Sequence, residues 1–427
     1  MTAVFSVIAA TIYGNRGAEA MLETVVGRLR EQRPDARFHA FTYYPEDDQR
    51  LLRAEHVSLH SSTPAALVFK LLPLSLVFGL ARLLFGRGTL RFGPRSIRAL
   101  GESTALVDLA GVAFIDGREK FLPFNVLTLL PAWLLGTPVV KMSQAVGPFR
   151  KPVNRLAAAF MLRKCTKVWA RGARTYQHLA ESGFKGVDFA LADDIAFNHK
   201  PGYALSEEAG AVLEGQFQAL AAARRGAGVA GVIGICPSSV VAVQSRKQGG
   251  NYEQVLSGLV SALARKGFLV VLFPNATRAV SGEAERNNDL PVIRRVMAMV
   301  DAGNGPAPLA FDLDVNATDI KRIIAEMDMV LVSRFHAMVG ALSLAVPAAV
   351  LGWSHKYAEV MARFGQEGCV MDYKNMGEAA LEAQVSTVFQ RREEIRQVIL
   401  QRLPEVKAAA ARPVDSLLLP TLGAGLA

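Results

Sequence analysis

The side chains best placed to do chemistry lie together in Met329-Val330-Leu331-Val332-Ser333-Arg334-Phe335-His336. The four apolar residues read as a strand, and the small apolar residues after His336 read as a helix. A permanent cation, Arg334, and an imidazole that titrates near neutrality, His336, thus meet at a strand–helix junction. In open α/β sheets ligands sit at such junctions, outside the carboxyl ends of the strands. Anion binding beside general acid/base transfer is the chemistry this pairing offers. Lys356 adds a second cation after the next apolar strand, in Trp353-Ser354-His355-Lys356-Tyr357. A lone buried histidine is usually structural; company with Arg334 at a strand end favours a functional one.

Three other loops could contribute. Gly14-Asn15-Arg16-Gly17-Ala18-Glu19 follows the first strand and opens a helix, so Asn15 and Gly17 fit an anion-binding loop or a simple tight turn equally well. Met142-Ser143-Gln144-Ala145-Val146-Gly147-Pro148-Phe149 follows another strand. There Gln144 could hydrogen-bond a sugar or a phosphate, although a structural turn is the commoner meaning of such a segment. In Val168-Trp169-Ala170-Arg171, Arg171 stands just past a strand, where a guanidinium can hold a carboxylate or phosphate with two parallel bonds.

The elements that must position these residues alternate along the chain. Strand-length apolar runs at residues 4–10, 38–43, 105–109 and 139–142 are separated by turns and helical stretches. After a break near residue 200 the series resumes at 231–235, 268–273, 329–332 and 348–351. This alternation predicts an α/β fold of two doubly wound, Rossmann-like domains facing a cleft. Residues 1–200 form the first, 201–377 the second, and 378–427 a helical tail, broken at Pro404, that crosses back to the first. A helix is expected from Ser206 to Arg225.

A chain of 427 residues exceeds one core. Its 51% hydrophobic and 20% charged residues exclude broad disorder. The three scattered cysteines fit neither a disulfide framework nor a zinc site, so no metal is expected. Without a basic leader, the first apolar run reads as a strand and the protein as cytoplasmic. The net charge of +10 is locally concentrated: no acid occurs from His56 to Gly101. An apolar stretch interleaved with basic residues occupies 64–98, including Arg87, Arg91, Arg95 and Arg98. Broken by Pro73, it falls short of the ~20 residues of a membrane span. It reads either as a core helix with a solvated basic edge or as a patch for peripheral contact with anionic membrane. No nucleic-acid signature accompanies the charge.

Taken in order, Asn15/Gly17, Gln144–Phe149, Arg171, Ser333–His336, Ala345-Val346-Pro347 and Lys356 resemble the signals of the polysaccharide pyruvyltransferase family. The resemblance implies a fold like that of GT-B glycosyltransferases, with the acceptor glycan on the first domain. It implies transfer of the enolpyruvyl carbons of phosphoenolpyruvate to two hydroxyls of a hexose, forming a ketal on a cell-surface polysaccharide or its polyprenyl-linked precursor. Arg334, Arg171 and Lys356 would bind the donor and His336 would act as general acid/base. No cofactor beyond this co-substrate is implied. Two rivals remain: a GT-B glycosyltransferase using a nucleotide sugar, and a non-catalytic glycan- or lipid-binding protein on the same scaffold.

Overall fold

Two parallel sheets carry the chain in a computed structural model that describes residues 3–207, 209–226, 228–278 and 287–419. The first sheet comprises β1 (Val4–Ile8), β2 (Arg37–Thr42), β3 (Val57–Ser61), β4 (Ala105–Asp108), β5 (Val139–Gln144), β6 (Lys167–Arg171) and β7 (Phe189–Ala192). Its order is β3-β2-β1-β4-β5-β6-β7. The second comprises β8 (Gly231–Cys236), β9 (Phe268–Leu272), β10 (Leu309–Ala310), β11 (Met329–Val332), β12 (Ala348–Gly352) and β13 (Val370–Asp372), in the order β10-β9-β8-β11-β12-β13. Helices join strands that pair in parallel, so the fold is α/β and doubly wound, as the alternation predicts. The strand order reverses between β1 and β4 and again between β8 and β11.

The chain divides into two compact units. One contains residues up to 12, 21–199 and those from 407 onward; the other contains 13–20 and 200–406. The loop at 14–19, expected with the first domain, therefore belongs to the second unit. From the tail, Asp415 receives a two-point hydrogen bond from Arg28 of the first unit, at 2.6 and 2.7 Å. Residues 420–427 of the expected tail lie outside the described residues.

Pro404 does not break the tail. One helix runs through it from Arg392 to Asp415. Proline removes only one backbone bond there, and the carbonyl left behind belongs to Leu400, which is half exposed and open to water. Pro73 does not interrupt its segment either. A π turn at Leu67–Leu71 precedes it, and the helix is continuous from Pro64 to Phe85. Its 22 residues reach the length of a membrane span, contrary to expectation. The helix expected from Ser206 begins at Gly210.

Central strands are buried on both faces, so charge among them must be paired. In the first unit Asp108 of β4 lies directly across from Lys141 of β5 and forms a buried ion pair with it. The carboxylate also accepts the Ala110 amide at 2.9 Å. Removing one partner strands the other charge. Asp108→Ala is expected to lose about 3–5 kcal/mol in urea unfolding, while Asp108→Leu combined with Lys141→Met recovers most of it. Equal losses in the single and double variants would show that the pair itself, and not the orphaned charge, sets the cost.

Candidate functional site

The second unit gathers its polar side chains where its strand order reverses, at the carboxyl ends of β8 and β11. Ser333 follows β11 directly and is held from two sides. Tyr252 donates its hydroxyl to Ser333 Oγ at 2.8 Å, and Tyr357 donates to the Ser333 carbonyl at 3.1 Å. Both phenols are buried, and burial pushes their pKa values upward, so they stay protonated donors. The segment that follows, Arg334 to His336, starts from a fixed point.

Arg334 does not stand free. Its Nε and Nη2 atoms donate to the carboxylate of Asp289 at 2.5–3.1 Å, and Nη2 also reaches Ser239 Oγ at 2.9 Å. Asp289 is fully buried and saturated: it also accepts the amides of Ser239, Asn275 and Ala276 at 2.9–3.2 Å. Burial opposes the charged guanidinium, but Coulombic attraction and hydrogen bonding to Asp289 outweigh it and raise the Arg334 pKa. The fork expected to grip an oxyanion thus grips Asp289. Nη1 is the guanidinium nitrogen not engaged by this pairing. Cys236, at the end of β8, is buried beside the pair; burial first and Asp289 second hold its thiol protonated.

His336, in the first turn of the helix Phe335–Ser343, packs edge-on to Phe335 at 5.3 Å. It also lies against Gly17. A β-carbon built on Gly17 would come within 2.0 Å of His336 Nδ1, so the ring occupies the space a side chain would need. Gly17 lies in the first turn of the helix Arg16–Gln32, and the Asn15 side chain caps that helix through the Ala18 amide at 3.2 Å. Gly17 and His336 are therefore brought together, and Asn15 has a structural task.

The sequence reading missed Arg16 between them. Its guanidinium is 1% exposed and bonds Glu19 Oε2 at 3.0 Å, Asp314 Oδ1 at 2.5 Å and Thr277 Oγ1 at 3.1 Å. Glu19 in turn accepts Ser206 Oγ and the Ala317 amide, both at 3.0 Å. Arg278 was missed too: its Nε would lie 3.0 Å from a β-carbon on Gly14, at positive φ. The Asn-Arg-Gly spacing was the available signal for Arg16; nothing local marks Asp289 or Arg278. Lys356, half-buried, sits in the first turn of the helix His355–Arg363, just before Tyr357.

Arg171 and Gln144 belong to the first unit. Arg171 spans Asp194 at 2.8 Å and the Gly111 carbonyl at 2.9 Å. Gln144 is buried and donates to the Asp108 carbonyl at 2.9 Å. Beyond β4, a cavity of about 180 Å³ is lined by Phe114, Phe121 and Phe124 with Arg118 and Asn125. Aromatic walls with a few polar groups suit a small polar ligand with apolar faces. Among the described residues no group of three His, Cys, Asp or Glu side chains could share a metal ion.

Solved structures share this fold at low sequence identity. Anabaena HepE in complex with UDP-glucose is 13% identical with a TM-score of 0.54, covering 99% of both chains. The Neisseria meningitidis UDP-GlcNAc 2-epimerase bound to UDP-GlcNAc is 11% identical with a TM-score of 0.60, covering 98% of this chain and 99% of that one. A UDP-glucose:anthocyanidin 3-O-glucosyltransferase in complex with UDP is 12% identical with a TM-score of 0.55, covering 98% and 99%. The fold is thus that of GT-B-like epimerases and glycosyltransferases. No curated protein matches the sequence. The sequence pattern named Polysaccharide pyruvyl transferase does match, over residues 15–355, a span that begins at Asn15 and takes in Arg171, Arg334 and His336. The chain belongs to the polysaccharide pyruvyl transferase family.

Proposed function

We propose that this transferase moves the enolpyruvyl carbons of phosphoenolpyruvate to two hydroxyls of a hexose, forming a cyclic ketal on a cell-surface polysaccharide or its polyprenyl-linked precursor. The observation that carries the reading is the seating of His336 on Gly17 beside the anchored Arg334. In the proposed reaction one sugar hydroxyl adds to C2 of the donor and gives up its proton as a proton is delivered to C3. Phosphate then leaves with the C2–O bonding pair, and the second hydroxyl closes the ring and loses its proton. His336 serves the proton transfers; such a group is typically worth about 10²–10⁴-fold in rate. Arg334, through Nη1, and Lys356 bind the donor's anionic groups, with Arg278 beside the Gly14 turn and Arg171 as further candidates. Gln144 and the aromatic cavity beyond β4 are proposed for the acceptor side. No metal is required. The proposed setting is the cytoplasmic face of the cell membrane.

The rival is a glycosyltransferase using a nucleotide sugar, since proteins of this fold are solved with UDP. Such an enzyme needs a carboxylate for a ribose or sugar hydroxyl. Asp289, the acid beside Arg334, already accepts three backbone amides and a guanidinium, which argues against that use. Phosphate release from phosphoenolpyruvate in the presence of lipid-extracted glycan tests the proposal directly. Turnover with nucleotide sugars alone would overturn it.

Two sets of variants probe the roles. His336→Ala is expected to remove nearly all turnover with donor affinity largely kept. Gly17→Ala should reproduce most of that loss in kcat, about 10²-fold or more, because the new methyl group displaces the ring. A folded Gly17→Ala enzyme with wild-type kcat would remove His336 from the chemistry.

Arg334→Lys should weaken phosphoenolpyruvate binding, because an ammonium cannot span Asp289 and Ser239 while presenting a further N–H. Asp289→Asn should weaken it as well, although it removes a negative charge, since Arg334 loses its anchor; Lys356→Ala should show a smaller loss. Calorimetric titration reads all three. Unchanged affinity in both Arg334→Lys and Asp289→Asn would assign the pair to the fold alone.

A further inference from the structure

The helix Pro64–Phe85 is apolar on both its inner and its outer side. Toward the protein it presents Leu67, Leu71, Ser75 and Gly79, with Leu74 and Phe78 half-buried against the core; a β-carbon on Gly79 would come within 2.7 Å of the Leu134 carbonyl. Away from it, Leu76, Val77, Leu80, Leu83, Leu84 and Phe85 are exposed, with Leu83 at 75% and Phe85 at 76%. A helix covering a core in water buries its apolar side and turns polar residues outward. Here Ser75 and Gly79 permit close approach at Leu134 while large apolar residues point outward, an arrangement found in helices that meet lipid.

The apolar surface continues onto neighbouring elements. Trp133, which adjoins Leu134, is part-exposed, and Lys164 Nζ lies 3.4 Å from the centre of its ring and 4.5 Å from that of Phe160. On the helix Pro152–Leu162, Val153, Leu156 and Phe160 are all exposed and share one helical face. Arg91 lies over the ring of the exposed Phe92 at 4.7 Å. Residues 56–101 and 120–180, which contain all these elements, hold no Asp or Glu. Cations beside aromatic rings at the rim of an apolar patch match the chemistry of a bilayer interface.

We propose that the first unit docks on an anionic membrane through the outer face of the helix Pro64–Phe85, extended by Trp133, Lys164 and the exposed stripe of the helix Pro152–Leu162. Length alone would allow the first helix to span a bilayer, but its inner side is packed against Leu134, so it lies in the plane of the interface. The surrounding arginines meet anionic headgroups. This inference does not depend on the donor or acceptor of the reaction.

Vesicle sedimentation without any substrate tests it. The protein should bind phosphatidylcholine vesicles containing phosphatidylglycerol, bind pure phosphatidylcholine more weakly, and lose affinity as salt rises. Leu80→Glu, Leu83→Glu and Leu84→Glu together, at positions whose exposure spares the fold, should lower partitioning by on the order of 100-fold. Arg91→Gln, Arg95→Gln and Arg98→Gln together should lower it on anionic vesicles by on the order of 100-fold and flatten the salt dependence. Arg87 is left in place because its Nη2 donates to the Gly101 carbonyl at 2.9 Å. Three outcomes overturn the proposal: no binding to anionic vesicles at low salt, undiminished binding of the glutamate variant, or a dimer seen by light scattering that the glutamates dissolve while wild-type protein ignores vesicles.

Discussion

A guanidinium taken out of water must find partners on several sides, and Arg16 is the largest fully buried side chain of the chain's described residues. Its partners come from separate places in the sequence: Glu19 one turn along, Thr277 after β9 and Asp314 after β10. Glu19 passes the constraint to the start of the helix Ala317–Ala325 through the Ala317 amide and to Ser206. A charge this deep is costly unless each donor is met, so the loop at 14–19 can adopt few other positions. Everything proposed for His336 depends on that, because Gly17 is the next residue and the imidazole rests on it.

The same device recurs at three arginines. Arg16 is matched by Glu19 and Asp314, Arg171 by Asp194, and Arg334 by Asp289. Such pairs contribute little net charge, so an anionic ligand would not be held by a surplus of positive potential. They contribute aimed N–H groups whose directions are set before the ligand arrives. Preorganised donors in a water-poor setting stabilise developing charge more effectively than mobile ammonium groups would. For the proposed reaction, which moves from a vinyl phosphate through an oxocarbenium-like species, direction matters as much as charge.

Much of this was legible in the sequence, and the failures have physical causes. The central strands were found because both of their faces are buried and their apolar runs are unbroken. The edge strand β3, Val-Ser-Leu-His-Ser, and the two-residue β10 lack that signature and went unseen. Arg334 and His336 were visible because a strand end announces itself. Asp289, Thr277 and Arg278 were not, since their meaning lies in partners far along the chain. Pro404 and Pro73 were read as breaks because proline forfeits one hydrogen bond; a surface helix, or one eased by a π turn, bears that loss.

Gly17 shows how a residue read for one reason can matter for another. In the sequence it reads as a turn glycine, valued for backbone freedom. Among the glycines of its loop, however, it is Gly14 that takes up the left-handed backbone, with φ +76°, and Gly17 lies in a first helical turn that any residue could occupy. The requirement at 17 is steric and tertiary: the imidazole of His336 fills the place of a side chain. A motif near the amino terminus and another in the second half of the chain are therefore two halves of one contact. Their joint presence in one sequence carries information that neither has alone, and the physical content of that information is the seating of a histidine ring on a bare helical turn.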